Sequence, residues 1–582
     1  MVFPAALAAG LVATAFAVSG AAAATTPTRP TYDAQGRLVQ TPFAPVEDAE
    51  LTERRAMAAF RAHPKVRDWV ARYPRSGRTT NAEYDEERRD WEAGIWDERA
   101  GQIATGRVDD ASGAVTEAWT GPQVAWRMAR GYDGAFGGRE LESPAVWLGF
   151  CAAFLLGLVD WRRLASARNL DLLVLVSFTI SLWFFNKGEI FTSVPLAYPP
   201  LLYLLVRMVW ITRRGPVPSG PPLWPVWLVA AATVFLAGFR VGLNVRTSNV
   251  IDVGYASVIG AHRITNGEMP YGHMPVEGDL KECGPEDSEG RVRERIQTNG
   301  RCESSNERGD TYGPVAYEAY IPGFALFGWE GRWDDLPAAH ATAIAFDLFT
   351  MLGLLLVGLR FGGQRLAATL PFAWAAYPFT QYVSNSNTND TIMPALLVWG
   401  FWLTTTPWAR GVFLALAAWT KFAALLLVPL WASFGEPRAL SVRARFAVGF
   451  ALGTLGAFWI LLLEPDPLHA ARVFWDRTFG WQVGRDSPFS IWGWGQYHAS
   501  GIPDLGWLHP FMILLVVVGS AATFFWPRRK TVLQLAALTA AVLIGFELVL
   551  THWFYLYIPW FLRFVAYAIL VPDERRHSVA TG

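Results

Sequence analysis

The sequence predicts a polytopic α-helical membrane protein of roughly a dozen spans, with a small α+β domain on its outer side near the N-terminus. Three observations predict it. The chain of 582 residues is 52% hydrophobic and 17% charged, and its apolar residues are gathered into long blocks rather than spread at amphipathic spacing. Clusters of arginine mark alternate ends of those blocks, as cytoplasmic ends do. One long polar segment, 25–143, precedes the first full block and has helical and then alternating spacing. Lys plus Arg and Asp plus Glu number 50 each, so no net field points to a nucleic-acid partner.

The elements follow in chain order. Residues 1–24 have an apolar core and a small-residue end near Ala24 but no Lys or Arg before it, and read as a signal peptide or a signal anchor. Either places residue 25 onward outside. Within 25–143 a tether leads to "LTERRAMAAFRAHPKVRDWVARYP", helical in spacing and ended by Pro74, and then to "WEAGIWDERAGQIATGRVDDASGAVTEAWTG", which alternates as strands do and turns at "DDASG". A helix followed by short strands carrying Val108, Asp109, Ser112, Gly113 and Val115 resembles a PepSY-type extracytoplasmic domain, from which no chemistry follows.

Leading spans occupy 144–239, and "DWRRLASARN" and "TRRGP" put their arginine-bearing ends inside. The segment 240–336 is then a large outer loop. Counting 319–329 as a span would place "EGRWDD" inside and "RFGGQR" outside, so it reads as a short element at the outer surface. Spans resume over 337–463, with 409–434 as two half-crossings meeting at Lys421. A second outer loop covers 464–505, and the C-terminal spans and cytoplasmic tail cover 506–582. Of the three cysteines, Cys151 lies in an apolar run, whereas Cys283 and Cys302 share the first outer loop, where oxidising surroundings favour a disulfide. No internal repeat is visible, which weakens the case for a transporter built from inverted halves.

This topology gathers the unusual polar residues on one side. Asp252, His262, Arg263, Tyr271 and Tyr312 fall in the first outer loop, "SNSNTND" ends at Asp390 in an outer turn, and Arg477, Gln482, Arg485 and Asp486 fall in the second outer loop. His552 stands at the outer end of the last span. A cation in an apolar block costs on the order of 3 kcal/mol on insertion scales, so Lys421 requires compensation, and a lipid phosphate at the outer leaflet is one source of it.

The order of "NVIDVGYASVIG", "GEMPYG", "DTYGPVAYEAYIPG", "SNSNTND", "LALAAWTKFAALLLVPL", "RDSPFSIWG" and "HWFYLYIPWF" over 240–571 resembles the GT-C superfamily of integral membrane glycosyltransferases. The nearest likeness is to polyprenyl-phosphate-mannose-dependent mannosyltransferases and related arabinosyltransferases. The extra outer domain with its spans, and the cysteine-bearing insertion at 276–309, depart from that pattern. The resemblance implies transfer of mannose or a pentose, with inversion, from a polyprenyl-phosphate donor to a lipid or glycan acceptor outside the plasma membrane. Asp252 stands where the family's catalytic acid falls and would take the proton of the attacking hydroxyl. Lys421, Arg485 and His552, with Arg263 and Arg477, are the cations to stabilise the leaving phosphate. Tyr271, Tyr312, Trp492 and Trp494 are flat faces for a sugar ring.

Each residue also has a plainer reading. Asp252 caps a surface helix; Lys421 snorkels; Arg485 pairs with Asp486; His552 belongs to an interfacial belt; "SNSNTND" is a capped polar turn. Asp347 and Glu547 lie within apolar runs and are either structural partners or, with Lys421, the coupling sites of a secondary transporter. Carboxylates 252, 390 and 486 are oxygen ligands of the kind Mg²⁺ or Mn²⁺ takes, without a spacing that compels a site. Walker loops, His-Glu-x-x-His, Cys-x-x-Cys and Gly-x-Ser-x-Gly are absent from the sequence.

Overall fold

The computed structural model describes residues 31–32, 38–40, 49–86, 88–131, 134, 136–215, 223–274, 308–330, 336–435, 440–483 and 487–571. The segment 1–24, Cys283, Cys302, Arg485 and Asp486 lie outside the described residues.

In the N-terminal domain, expected on the outer side, two helices, Glu53–Ala62 and Pro64–Val70, precede an antiparallel meander of strands Arg78–Asp85, Asp90–Asp97, Gly101–Asp109 and Val115–Thr120. The single helix expected up to Pro74 is thus two, because Pro64 lacks an N–H and opens a new first turn instead of continuing the old one. Ala56, Met57 and Phe60 form the buried face of the first helix. That helix lies close on the sheet because Gly106 has no side chain: a Cβ there would stand 2.6 Å from the Phe60 ring and 2.1 Å from the Glu117 carbonyl. The turn at "DDASG" forms as expected, with the Asp109 carboxylate accepting from the Ser112 N–H at 2.8 Å and Gly113 at φ +67. The strand Arg78–Asp85 was not expected. It is an edge strand whose only buried residue is Ala82, so it carries no apolar stripe to read.

Apart from a two-stranded antiparallel ribbon, Thr31–Tyr32 with Leu38–Gln40, the other described elements are helical. Among the described residues six helices are long and apolar enough to cross a membrane: Ala167–Asn186, Ile190–Arg214, Val226–Thr247, Pro337–Phe361, Leu440–Leu463 and Gly506–Phe525. Shorter apolar helices accompany them: Pro144–Leu158, Pro407–Ala418, Phe422–Ala432, Val532–Leu548 and Tyr555–Leu570. Breaks shorten several of the blocks. Tyr377 takes an extended conformation before Pro378 and separates Gly363–Ala376 from Pro378–Asn385, as the steric demand of the proline ring dictates. The segment 319–329 does not form a long helix. Within it lies the short helix Ile321–Phe327, which follows the one-turn helix Val315–Glu318.

Ion pairs tie the bundle together. Asp347 accepts from Arg240 at 2.6 and 3.0 Å and from the Trp374 indole at 2.7 Å, and Arg240 also donates to the Thr380 hydroxyl at 3.0 Å. Asp171 holds Arg207 at 2.9 Å and the Tyr203 hydroxyl at 2.8 Å. Charges buried with this many partners fix helix positions. Asp347 is therefore a structural partner of Arg240.

The outer domain is seated on the bundle. Trp69 stacks on Phe191 at 5.4 Å between ring centroids, the Ser500 N–H donates to the Arg72 carbonyl at 3.0 Å, and Ala499 of the second outer loop is buried in the outer domain's own core.

Candidate functional site

The site grows from a buried turn. Residues 384–391, "SNSNTNDT", are almost wholly inaccessible, and several of their polar groups bond to the segment before Asp252. The Asn249 N–H donates to the Asn385 carbonyl at 3.1 Å, and the Asn387 amide donates to the Asn249 carbonyl at 2.8 Å and the Ser248 hydroxyl at 2.9 Å. Asn387 adopts φ +53, a left-handed conformation that asparagine tolerates better than most residues. The turn thus holds the segment that leads into helix Asp252–Thr265, and Asp252 is the first residue of that helix. A carboxylate there sits favourably on the positive end of the helix dipole. Gly254 allows the approach, since a Cβ there would lie 2.2 Å from the Asn387 carbonyl.

The same turn supplies a counter-charge. Thr388 caps the short helix Asn389–Thr391 with its hydroxyl, and Asp390 within it stands 3.0 Å from the Lys421 ammonium. Lys421 lies at the break between Pro407–Ala418 and Phe422–Leu427 and is 7% exposed. The cation's compensation is therefore Asp390, where the sequence suggested a lipid phosphate. Asp252 is a second negative charge acting on the same ammonium. The break also frees the Trp419 carbonyl, which accepts the Val315 N–H at 3.1 Å. That bond brings the first outer loop across, and the Tyr312 ring lies 4.2 Å from the ammonium, within cation–π range. The Trp560 ring from the last helix stands at 5.9 Å.

Behind Tyr312 a second layer fixes the loop. The Tyr271 hydroxyl donates to the Tyr312 carbonyl at 3.0 Å, and buried Asp310 accepts from the Gly272 N–H and from Arg477, each at 2.6 Å. No family model, curated protein or solved structure matches this chain. The geometry alone carries the assignment of roles.

Asp252, Lys421 and Tyr312 come together, with Tyr271 and Arg477 supporting them. Tyr271 is fully buried with its ring edge-on to Tyr317 and Phe474, so it offers no face to a sugar. Arg477 is committed to Asp310. Arg263 is not part of the group: eleven positions along the helix place it about 16 Å from Asp252, and it pairs with Glu268 at 3.0 Å. Trp492 and Trp494 are corrections too. Both are buried, Trp492 donating to the Leu548 carbonyl at 2.9 Å and Trp494 to the Pro488 carbonyl at 3.0 Å, so they pack the loop.

His552 belongs to a neighbouring group. Its Nδ1 lies 2.9 Å from the Ser487 hydroxyl, and its ring meets Phe489 at 5.3 Å and Trp126 of the outer domain at 5.6 Å. Trp126 begins a linker that sequence reasoning missed. The Gly134 and Gly137 carbonyls in it accept from the Asn249 and Asn385 amides at 2.6 and 2.9 Å, on both sides of the site.

Glu318 is a further unforeseen group, lying against Trp459 on the short helix Val315–Glu318. Burial pushes its carboxyl up to about 8.

Of the three carboxylates suggested as oxygen ligands for a divalent cation, Asp486 lies outside the described residues. Among the described residues no three His, Cys, Asp or Glu side chains converge. The oxygens of Asp390 already face Lys421 and the Thr388 hydroxyl, each at 3.0 Å.

Proposed function

We propose that this chain is a multi-pass transferase of the plasma membrane, with the shorter apolar helices crossing the bilayer alongside the long ones. It moves a hexosyl or pentosyl unit, mannose or a pentose, from a polyprenyl-phosphate donor to a lipid or glycan acceptor at the extracytoplasmic surface. The acceptor hydroxyl attacks the anomeric carbon, the bond from that carbon to the phosphate oxygen breaks, and the polyprenyl phosphate leaves with the electron pair. Asp252 takes the hydroxyl proton. Inversion follows from attack opposite the leaving group.

One observation carries this reading: the buried turn whose Asp390 holds the Lys421 ammonium at 3.0 Å also packs, through Asn387, on the segment and first turn of the helix that begins with Asp252. The paired lysine is a fixed cation that needs no reorganisation when charge develops on a leaving group. Asp252 supplies the base that a hydroxyl nucleophile requires. Tyr312, half-buried with its ring over the same ammonium, would offer the rest of that ring to a sugar. The outer domain, which we read as a PepSY-like module, borders the site through Trp126.

The transporter reading would use Asp347, Lys421 and Glu547 as coupling sites. Arg240 and Asp390 hold the first two in ion pairs, and Glu547 accepts from the Trp553 indole at 3.1 Å.

The test is incubation of the purified full-length protein with labelled polyprenyl-phosphate sugars and a panel of lipid and glycan acceptors. Transfer that is lost in Asp252→Asn supports the reading. Absence of transfer from every donor, with the wild-type protein folded, overturns it.

A further inference from the structure

The segment that leads to Asp252 and the turn that carries Asp390 are tied to a third element by a histidine. His340 lies in the first turn of helix Pro337–Phe361 and is half-buried. Its Nδ1 stands 3.0 Å from Asn244 Oδ1 and 3.1 Å from the Ser248 hydroxyl. Asn244 belongs to the last turn of Val226–Thr247 and is wholly buried, and Ser248 caps the end of that helix.

Backbone carbonyls fix the direction of each bond in this group, because a carbonyl only accepts. The Asn244 atom 2.7 Å from the Ser384 carbonyl is therefore the amide nitrogen, and the atom that faces His340 is the amide oxygen. Asn387 is oriented in the same way. Its amide nitrogen donates to the Asn249 and Asn385 carbonyls at 2.8 and 3.2 Å and to the Ser248 hydroxyl at 2.9 Å, while its oxygen accepts from Asn244 at 2.9 Å. The Ser248 hydroxyl gives its own proton to the Asn244 carbonyl, so it faces Asn387 and His340 as an acceptor. Two acceptors thus converge on His340 Nδ1, which must carry a proton. The other neutral tautomer would set a lone pair against two oxygens.

We infer that His340 is a positioning residue for the site: its Nδ1–H holds Asn244 and Ser248 in the orientation that grips Asn387, and Asn387 in turn sets the approach to Asp252 and the turn of Asp390. Among the described residues His340 is the only donor to Asn244 Oδ1. Without it a buried amide oxygen is stranded, and the amide relieves this only by turning away from Ser384 and Asn387, which releases the turn. The consequence for chemistry rests on the transferase reading; the consequence for the hydrogen-bond group does not.

The experiment uses the full-length protein in detergent with His340→Leu, His340→Gln and His340→Asn. Asparagine places its amide nitrogen where Nδ1 stands, whereas glutamine reaches towards Nε2, so the donor is restored by asparagine alone. Hydrogen exchange over residues 249–255, read by mass spectrometry, is expected to be about 10-fold faster in His340→Leu and close to wild type in His340→Asn. The kcat for sugar transfer is expected to fall about 10- to 100-fold in His340→Leu and His340→Gln, with donor KM within a factor of about two, and to return to within about threefold in His340→Asn. Should His340→Leu fail to fold, His340→Gln carries the comparison. Exchange in the folded variant equal to wild type overturns the inference, as does a His340→Asn protein that exchanges as fast as His340→Leu. Faster exchange with kcat per folded molecule unchanged overturns the positioning role and leaves a structural contact. A wild-type protein that transfers no sugar would remove the transferase reading, and the exchange rates would still decide whether His340 holds the turn.

Discussion

The Lys421 ammonium and the Asp390 carboxylate face each other at 3.0 Å, joining the break in one apolar helix to a capped turn at the head of another. Both groups are buried, so neither is solvated if the other is removed. Asp390→Asn and Lys421→Met are each expected to destabilise the protein by about 3 to 5 kcal/mol. The double variant Asp390→Leu with Lys421→Met is expected to recover most of that loss while remaining inactive. Thermal unfolding in detergent measures the first effect and sugar transfer the second; a double variant no more stable than the singles would deny the pair its coupling.

Lys421→Ala separates the two substrates. If the lysine stabilises charge on the leaving phosphate, the variant binds a polyprenyl-phosphate donor more weakly and leaves acceptor affinity near that of the wild type. Titration of donor and acceptor analogues against the folded variant decides it. Unchanged donor affinity would confine Lys421 to its structural pairing with Asp390.

Asp252→Asn removes a base while keeping the shape of the side chain. The transfer rate is expected to fall about 10²- to 10⁴-fold. The stability cost is expected to stay within about 2 kcal/mol, the upper value for a carboxylate at a partly buried helix start. Turnover close to wild type would remove Asp252 from the chemistry.

Glu318 gives the stability a pH dependence of definite sign. Burial lifts its carboxyl from an ordinary value of 4.5 to about 8, so between those values the folded state holds a proton that the unfolded state has released. Its contribution is fully present at acid pH and is lost as pH rises through about 8. Glu318→Gln is expected to flatten this slope and to melt above the wild type at pH 9. Parallel melting curves for the two proteins from pH 5 to 9 would refute the assignment.

The apolar helices, the strands around "DDASG", the shortness of the helix before Pro337 and the break at Lys421 were legible because each leaves a local signal: an apolar block, a turn residue, flanking charges, a lone cation. The partners were not. Nothing near Lys421 in the chain names Asp390, and nothing near Asp347 names Arg240, because both pairs close across helices distant in sequence. Trp492 and Trp494 misled for a related reason. An aromatic in an outer loop looks the same in sequence whether its ring meets a ligand or its indole donates to the Leu548 or Pro488 carbonyl. The two helices divided by Pro64 and the edge strand Arg78–Asp85 were missed where a breaker or a missing apolar stripe stood against a longer pattern.

The linker between outer domain and bundle is placed to position the site. Gly138 adopts φ +90, and a Cβ there would stand 1.9 Å from the Thr247 carbonyl, the end of the helix that leads to Asp252. Phe136 packs on Phe554 at 4.6 Å, and the Gly134 and Gly137 carbonyls take the Asn249 and Asn385 amides. A shift of this strap therefore reaches both the approach to Asp252 and the turn that carries Asp390. Misplacement of reacting groups by about 1 Å costs on the order of 10²-fold in rate. Gly138→Ala is expected to lower kcat for sugar transfer about 10- to 100-fold while leaving the donor KM within a factor of about two. Asn385→Ala, which removes one amide from the strap, is expected to act in the same direction and more weakly. A purely structural role would lower the amount of folded protein without changing kcat per folded molecule, so active-site titration of the surviving fraction distinguishes the two. Unchanged kcat in both variants would make the outer domain a passive neighbour of the site.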